Sequence, residues 1–248
     1  MNHTLHLVVP CFRESLRLPR FLPALCGTME ATGGVTIQVV DDGSGEPEVQ
    51  ATRRCVEELR RSHACLLPLL ELPDNQGKGG AVYSAWDTAP KDADWLAFVD
   101  ADGSVPAVEV DRLIRELRES KTPPRAIFAS RIKMLGRSVD RQLKRHLIGR
   151  IYATLVSELL HIPVYDSQCG FKIVDAESWR AISNNLSVRG FAFDVELMTS
   201  LLDHGGDIVE IPIDWHETPG GKIHLFRDSW RMFRDVLRIR KCRHTRSE

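Results

Sequence analysis

Short apolar runs alternate with helical patterns over the first half of the chain. The apolar runs are short, rich in β-branched residues and bounded by Gly, Pro or Asp, which predicts strands. The predicted strands are Leu5–Val9, Val35–Val40, Cys65–Leu72, Trp95–Val99 and Ala126–Ala129. The predicted helices between them cover about 15–31, 47–61, 79–89 and 106–119. This alternation predicts an α/β fold with a mainly parallel central sheet flanked by helices.

The second half has longer helical patterns and fewer strands. Apolar residues at helical spacing predict one helix over 143–159 and a shorter one from Phe193 to Leu201. A further strand is predicted at Ile208–Ile213, and a last helix at about 228–240. No repeat and no low-complexity linker divides the chain, so we expect a single domain.

The composition is that of an ordinary soluble globular protein. Of the 248 residues, 43% are hydrophobic and 27% are charged, which excludes disorder and coiled coil as the main organisation. No apolar stretch approaches the roughly 20 residues that span a bilayer, and the start has no basic region typical of a secretory signal. The six cysteines contain no Cys-x-x-Cys pair, which is typical of free thiols in a reducing compartment. We therefore expect a cytoplasmic protein.

The net charge of −1 hides an asymmetry between the two halves. Residues 125–248 contain 20 Lys or Arg and 15 Asp or Glu, against 13 and 19 in residues 1–124. Two segments, 125–150 and 227–246, hold most of the excess, with eight basic residues each. These segments are either solvated helix faces or a surface that meets an anionic partner such as a membrane or a lipid phosphate. No nucleic-acid partner is expected.

Three predicted strands end in residues suited to chemistry. The first leads into Pro10–Glu14, the second into Asp41 and Asp42, and the fourth into Asp100-Ala101-Asp102. Ligands of such sheets bind outside the carboxyl ends of the strands, where these residues lie. Two acidic pairs at one sheet edge repel each other unless a cation or hydrogen-bond donors lie between them.

The Asp100-Ala101-Asp102 segment is the candidate metal site. Side chains two residues apart on an extended strand point the same way, and oxygen ligands at that spacing suit Mg²⁺ or Mn²⁺ on a diphosphate. The alternative is that Asp102-Gly103 forms a turn and Asp100 caps the next helix. An EF-hand is excluded, because Val105 stands where that loop needs Gly.

A glycine-rich segment, Asn75-Gln76-Gly77-Lys78-Gly79-Gly80, lies between a predicted strand and a helix. Its backbone amides could approach a phosphate, with Lys78 adding positive charge. A plain glycine turn is the alternative. The segment is not a Walker A loop, because Leu72 and Gly79 stand where that motif needs Gly and Ser or Thr.

Taken together, these segments resemble the nucleotide-sugar domain of family 2 glycosyltransferases, which have the GT-A fold. The motifs that carry the resemblance are Pro-x-Phe-x-Glu, Val-Asp-Asp-Gly-Ser, Asn-x-Gly-Lys-Gly and Asp-Ala-Asp, in that order. The segments 166–172, 191–197 and 215–223 are similar to the dolichyl-phosphate glucosyltransferase branch of that family. Arg13 and Gly221 depart from its usual Asn and Ser, and we expect no N-terminal membrane anchor of the kind common in the eukaryotic branch. The resemblance covers about residues 5–240.

The resemblance implies transfer of glucose from UDP-glucose to a polyprenyl or dolichyl phosphate, with inversion at the anomeric carbon. It divides the domain into a nucleotide-sugar half at about 1–124, an acceptor half at 125–227 and a basic amphipathic helix at 228–248. It places Asp100 and Asp102 on Mg²⁺ or Mn²⁺. The implied nucleotide-sugar-binding residues are Pro10, Cys11, Phe12, Glu14, Asp41, Asp42, Gly77, Lys78, Asp100, Ala101 and Asp102.

A phosphate acceptor is already anionic near neutral pH, so it needs a cation to position it more than it needs a general base. Arg131, directly after a predicted strand, is the first candidate. The further acceptor-binding candidates are Arg137, Arg145, Lys172 and Lys222. Asp166 and Asp194 are expected near the transferred sugar, with helix capping as the alternative for Asp194.

Several alternatives stay open at this point. The sugar could be mannose, the acceptor could be soluble, or the chain could be a non-catalytic adaptor with a nucleotide-sugar pocket. The last helix places Trp230, Met232 and Val236 on one half and Arg231 and Arg234 on the other, which is the layout of an interfacial helix. Its apolar half either packs on the core or meets a membrane, and a peripheral membrane surface is the expectation that fits a lipid acceptor.

Overall fold

The computed structural model describes residues 3–140, 143–218 and 225–246, with the side chains of 143–148, 225–229 and 244–246 left aside. The strands of this part are β1 (Leu5–Cys11), β2 (Val35–Asp42), β3 (Leu70–Leu72), β4 (Trp95–Val99), β5 (Ala126–Ser130), β6 (Val139–Asp140), β7 (Phe171–Asp175), β8 (Ile208–Pro212) and β9 (Trp215–His216). The helices are α1 (Leu18–Thr32), α2 (Glu48–Arg60), α3 (Lys78–Asp87), α4 (Ala107–Glu119), α5 (Leu143–Leu160), α6 (Ala176–Ile182), α7 (Phe193–Asp203) and α8 (Leu225–Arg246).

Seven strands form one sheet in the order β3-β2-β1-β4-β7-β5-β8. All neighbours pair parallel except at β7, which runs antiparallel between β4 and β5. The short strands β6 and β9 form a separate parallel pair. The predicted α/β fold with a mainly parallel sheet is confirmed, and the sheet contains strands from both halves of the chain.

The helices pack on the two faces of the sheet and create two apolar clusters. On α4, the residues predicted by helical spacing are all buried: Val110, Leu113, Ile114 and Leu117. The strands β4 and β5 are buried along their whole length, as expected for parallel strands covered on both faces. The carboxyl ends of the parallel strands lie together at one edge of the sheet.

The antiparallel strand β7 and the helix α6 that follows it are absent from the sequence prediction. The charged Lys172 interrupts the short apolar run, so the segment does not show the pattern of the other strands although Gly170 and Asp175 flank it. An antiparallel strand begins at the edge where its parallel neighbours end. The insertion of β7 therefore brings the segment before it, residues 166–170, to the carboxyl edge of β4 and β5.

The other predicted elements are confirmed with shifted ends. The predicted strand at Cys65–Leu72 is a single bridge between Ile37 and Leu66, then β3 proper. Pro68 lies between the two pieces and has no N–H to donate to a continuous ladder. The last helix is longer than predicted and extends over Leu225–Arg246.

The helix α8 packs on the core through part of its predicted apolar half. Met232, Val236 and Ile239 are buried in the same cluster as α7, whereas Trp230 is 63% exposed and Leu237 is 42% exposed. The core-packing alternative is thus correct for three of the apolar positions. None of the described helices is long and apolar enough to cross a membrane.

Candidate active site

The ends of β1 and β2 form one wall of a site at the carboxyl edge of the sheet. Cys11 and Asp41 are paired across the two strands. Asp41 accepts a hydrogen bond at Oδ1 from the Ser44 backbone N–H at 2.8 Å. Its Oδ2 is buried and has no hydrogen-bond partner within the described part of the chain. A buried carboxylate oxygen left unpaired is costly, so this atom fits a ligand that donates an N–H, such as a pyrimidine base.

Asp42 holds the glycine-rich segment against the sheet. Its carboxylate accepts hydrogen bonds from the backbone N–H of Gln76 at 2.7 Å and of Gly77 at 2.9 Å, and from Asn75 Nδ2 at 3.0 Å. Burial raises the pKa of Asp42, and the two backbone donors oppose that shift. With these partners, Asp42 holds the glycine-rich segment in place, whereas the sequence predicted that Asp42 contacts the nucleotide directly.

Lys78 begins α3 and forms an ion pair with Asp100, with Nζ 2.6 Å from Oδ1. The ammonium group lies over the rings of Phe98 and Phe193, at 5.1 and 5.9 Å from their centroids. Burial acts to lower the pKa of Lys78, but Asp100, Asp194 and Asp102 together raise it. Lys78 therefore stays charged beside the acidic pair.

Asp102 lies in a turn after β4 and accepts a hydrogen bond at Oδ1 from the Ser104 backbone N–H at 2.9 Å. Its side chain is 24% exposed, and Oδ2 lies 3.8 Å from Nη1 of Arg17. Burial, with the charge of Asp100 as the next cause, raises the pKa of Asp102. The turn predicted as the alternative for Asp102-Gly103 is present, but the Asp102 side chain still lies at the candidate active site.

Asp100 and Asp102 have the donor chemistry that Mg²⁺ or Mn²⁺ takes when it is shared with a diphosphate. Such an ion is commonly held by one or two carboxylates and completes its shell with phosphate oxygens and water. No group of three or more His, Cys, Asp or Glu side chains within the described ranges is arranged to hold a metal on its own. The two carboxylates therefore fit a metal that arrives with a phosphate ligand.

Gly170 makes room for the Asp100 carboxylate. The carbonyl of Gly170 accepts a hydrogen bond from the Asp100 backbone N–H at 2.9 Å, which continues the pairing of β4 with β7. A Cβ at Gly170 would lie 2.5 Å from Cγ of Asp100 and overlap its Oδ2. The glycine is thus needed for the close approach of β7 to the acidic pair.

Arg131 and Asp166 form a buried pair on the other side of β7. The Arg131 Nε and Nη2 each donate to Asp166 at 2.7 Å, and the Arg131 backbone N–H donates at 3.0 Å. Trp215 lies beside the guanidinium, with its ring centroid 5.5 Å from Cζ. Burial opposes the charge, but Asp166 raises the pKa of Arg131, and Asp100 contributes from across the site.

Lys172 and Asp194 form an ion pair beneath the site. Lys172 is fully buried, with Nζ 3.1 Å from Asp194 Oδ1 and 2.8 Å from the carbonyl oxygen of Cys169. Burial raises the pKa of Asp194, while Lys172 and then Lys78 lower it. The predicted acceptor contact of Lys172 stays a prediction, and in this structure its buried ammonium group contacts Asp194 and the carbonyl oxygen of Cys169.

The remaining predicted residues divide into three groups. Pro10, Phe12 and Ala101 lie at the ends of β1 and β4, as predicted. Arg137 forms an ion pair with Glu109 of α4 at 3.4 Å. The side chain of Arg145 and all of Lys222 lie outside the described residues.

Three features of the site were missed by sequence reasoning. The first is Arg17, which forms a two-point hydrogen bond with Glu14 at 2.5 and 2.6 Å. The second is Gly170, and the third is the stacking of Trp215 beside Arg131. The spacing of Glu14 and Arg17 at the start of a helix was a usable signal, since residues three apart are neighbours there.

Comparison with known proteins identifies the class. Residues 6–177 match the family "Glycosyl transferase family 2", and the chain belongs to that family. It is 28% identical to the dolichyl-phosphate beta-glucosyltransferase of Saccharomyces cerevisiae, over 95% of this chain and 74% of that protein. It is also 28% identical to the human dolichyl-phosphate beta-glucosyltransferase, with 95% and 74% of the two chains covered. The predicted resemblance to this branch is confirmed.

Solved structures confirm the GT-A fold. The chain is similar to glucosyl-3-phosphoglycerate synthase from Mycobacterium tuberculosis in complex with Mn²⁺, UDP-glucose and phosphoglyceric acid, with a TM-score of 0.72. That comparison covers 96% of this chain and 80% of the other at 14% identity. S. aureus TarS gives a TM-score of 0.60 over 96% of this chain and 64% of the other, at 16% identity.

We predict that Gly170→Ala displaces the Asp100 carboxylate without unfolding the protein. The added methyl group cannot share the space of that carboxylate, so Mn²⁺-supported binding of UDP should weaken by about tenfold or more. Calorimetric titration of UDP in Mn²⁺ measures the effect. Gly27→Ala is the control, since a Cβ there meets nothing within 4 Å. Unchanged UDP binding in Gly170→Ala would show that Asp100 does not act at the diphosphate.

Proposed function

We propose that this glycosyltransferase moves a hexose, glucose in the first instance, from a UDP-sugar to a polyprenyl phosphate with inversion. The observation that carries the proposal is that two charged centres lie at the same edge of the sheet. The acidic pair Asp100 and Asp102 lies with Lys78 on one side of β7, and Arg131 lies on the other. The first centre suits a metal-bound diphosphate and the second suits an anionic acceptor. The names of the curated relatives support glucose as the sugar and dolichyl phosphate as the acceptor, and a solved structure of similar fold contains UDP-glucose.

On the donor side, Asp41 accepts the N–H of the uracil ring at its unpartnered Oδ2. The backbone of Pro10–Phe12 borders the same pocket, because β1 pairs with β2 through Cys11 and Asp41. When bound, a divalent ion on Asp100 and Asp102 stabilises the negative charge of the departing UDP. Lys78 adds a fixed positive charge beside that ion.

On the acceptor side, a phosphate monoester supplies its own nucleophilic oxygen. One phosphate oxygen forms a bond to the anomeric carbon as the bond from that carbon to the diphosphate breaks, and UDP leaves on the opposite face. No proton must be removed first, since the monoester is largely dianionic at neutral pH. The protein's task is to position the acceptor, and we assign it to Arg131, which Asp166 orients through two hydrogen bonds.

Asp194 and Lys172 are assigned as positioning residues. Both are buried and form an ion pair that joins β7 to the start of α7, and Asp194 is close enough to Lys78 for the two charges to interact. Their contacts favour support of Lys78 and of residues 169–172, in place of the predicted contact between Asp194 and the sugar. Likewise, Asp166 is engaged by Arg131, so we place it behind the acceptor.

We predict that Asp102→Asn lowers transfer by at least about a hundredfold while the protein stays folded. The substitution keeps the shape and removes the charge that binds the metal at the diphosphate. A donor screen with UDP-glucose, GDP-mannose and a short polyprenyl phosphate, in Mn²⁺ or Mg²⁺, first identifies the sugar. Near-normal transfer by Asp102→Asn at saturating donor would contradict the metal assignment. Absence of transfer by the unaltered protein from every donor would favour the adaptor alternative.

We predict that Arg131→Lys raises the KM for polyprenyl phosphate by about tenfold and leaves UDP binding nearly unchanged. Lysine keeps the charge opposite Asp166 but loses the planar two-point geometry. Arg125→Lys is a matched control, because Arg125 and Arg131 flank β5 at opposite ends. An equal loss of UDP affinity in Arg131→Lys would move this residue to the donor site.

We further propose that α8 and the exposed face of α5 meet an anionic membrane surface. Arg231, Arg234 and Arg238 are exposed on α8, beside the exposed Trp230. The helix α5, which contacts α8, exposes Ile151 at 62%. Exposed apolar side chains among arginines are typical of a peripheral membrane surface. Such a surface would bring a lipid-linked acceptor to the site.

We predict salt-sensitive binding to vesicles that contain anionic lipid and polyprenyl phosphate. Binding should occur at low salt, fall at high salt because exposed charges are screened within a Debye length, and weaken in Arg231/Arg234/Arg238→Ala. A variant with three exposed arginines outside α8 replaced by alanine, namely Arg54, Arg61 and Arg180, is the charge-matched control. Co-sedimentation measures binding. No sedimentation of the unaltered protein at low salt would contradict the membrane surface and favour a soluble acceptor.

A further inference from the structure

Arg17 occupies an unfavourable position for a cation. It is the N-cap residue of α1, where the helix dipole favours negative charge. Its side chain is only 16% exposed, and Nη1 is buried without a hydrogen-bond partner among the described residues. A largely buried positive charge at the positive end of a helix is unfavourable, so another interaction must compensate for it. Residues that break this electrostatic preference are common at functional sites.

The compensation comes from the acidic groups of the candidate active site. Glu14 accepts two hydrogen bonds from Nε and Nη2 of Arg17, which orients the planar guanidinium. The remaining nitrogen, Nη1, lies 3.8 Å from Oδ2 of Asp102. Arg17 therefore connects the end of β1 to the acidic pair after β4 through a single rigid group.

The contact between Arg17 and Asp102 matters because the surrounding cluster has more negative than positive charges. Among the described residues, the carboxylates of Glu14, Asp100 and Asp102 form ion pairs with two cations, Arg17 and Lys78. Without Arg17, the cluster would carry one further unbalanced negative charge at the place where a diphosphate must approach. Charges at this separation interact several times more strongly in a partly buried site than in water.

We propose that Arg17 is the chain's own cation at the diphosphate site, a residue that offsets the charge of Asp102 and lets a nucleoside diphosphate bind before a divalent metal does. The inference rests on the proposed function, since it takes Asp100 and Asp102 as the diphosphate end of the donor site. It also implies an order of binding. In the metal-free protein, Arg17 offsets part of the negative charge of the diphosphate, and the metal that binds afterwards offsets the rest.

The test is UDP binding, measured by calorimetry in excess EDTA and again in Mn²⁺, for the unaltered protein and for Arg17→Gln. In EDTA, the variant should bind UDP about tenfold more weakly, because one positive charge is lost beside the diphosphate. In Mn²⁺, the loss should be smaller, because the added ion offsets the acidic pair. The gain in UDP affinity produced by Mn²⁺ should therefore be larger in Arg17→Gln than in the unaltered protein.

Two further variants distinguish the effect of the positive charge of Arg17 from a purely structural role of its side chain. Arg17→Lys keeps the charge and should restore most of the UDP binding seen in EDTA. Arg20→Gln removes an exposed arginine one turn further along α1 and should change neither affinity. Thermal unfolding of each variant confirms that the fold is intact.

Each remaining outcome is decisive. An equal fold-loss of UDP affinity in EDTA and in Mn²⁺ would overturn the proposal and leave Arg17 with a scaffolding role for Glu14. Unchanged affinities in Arg17→Gln would also overturn it, as would UDP binding by the unaltered protein in Mn²⁺ but not in EDTA. No UDP binding under either condition would instead contradict the proposed function itself.

Discussion

The compensation of buried negative charge at the end of β4 is the constraint on which the rest of the site depends. Asp100 and Asp102 follow a strand that is buried along its whole length, and burial together with Asp100 raises the pKa of Asp102. Two carboxylates in such a place stay ionised only if cations lie close by. Lys78 and Arg17 provide this charge from the first turns of two different helices. The positions of α1 and α3 relative to β4 are therefore part of the site's electrostatics as well as of its packing.

The antiparallel strand β7 is the second feature that determines how the site is built. It lies between the proposed donor side and the proposed acceptor side and pairs with both β4 and β5, so it fixes the distance between these two strands. Gly170 permits its close approach to Asp100, and Lys172 anchors its start to Asp194 underneath. The segment before the same strand brings Asp166 to Arg131. A single inserted strand thus couples the two charged centres that a transfer between two anionic substrates requires.

The two sides of the site balance their charge in different ways. On the donor side, Asp41 Oδ2 and Arg17 Nη1 are buried polar atoms without hydrogen-bond partners in the described part of the chain, which is typical of groups reserved for a ligand. On the acceptor side, Arg131 is already saturated by Asp166 at two of its nitrogens. The hydroxyl groups of Ser130, Tyr152 and Ser167, near Arg131, are likewise buried without hydrogen-bond partners among the described residues. Both sides therefore hold polar atoms suited to a ligand, and the acceptor side adds a cation of fixed orientation.

The local sequence determined the parallel βαβ order, the helical faces and the polar residues at strand ends, because periodicity and turn residues are properties of neighbouring positions. The contiguous motifs at Asp41, Lys78 and Asp100 were found for the same reason, and their family was recognisable. Only the tertiary structure decided that Lys172 is buried, that Asp42 holds a loop, and that α8 packs through Met232 and Val236. It also decided the position of Arg17 beside Asp102, residues 85 apart in sequence. Burial and long-range charge pairing depend on which elements meet in space, and no local pattern of residues records that.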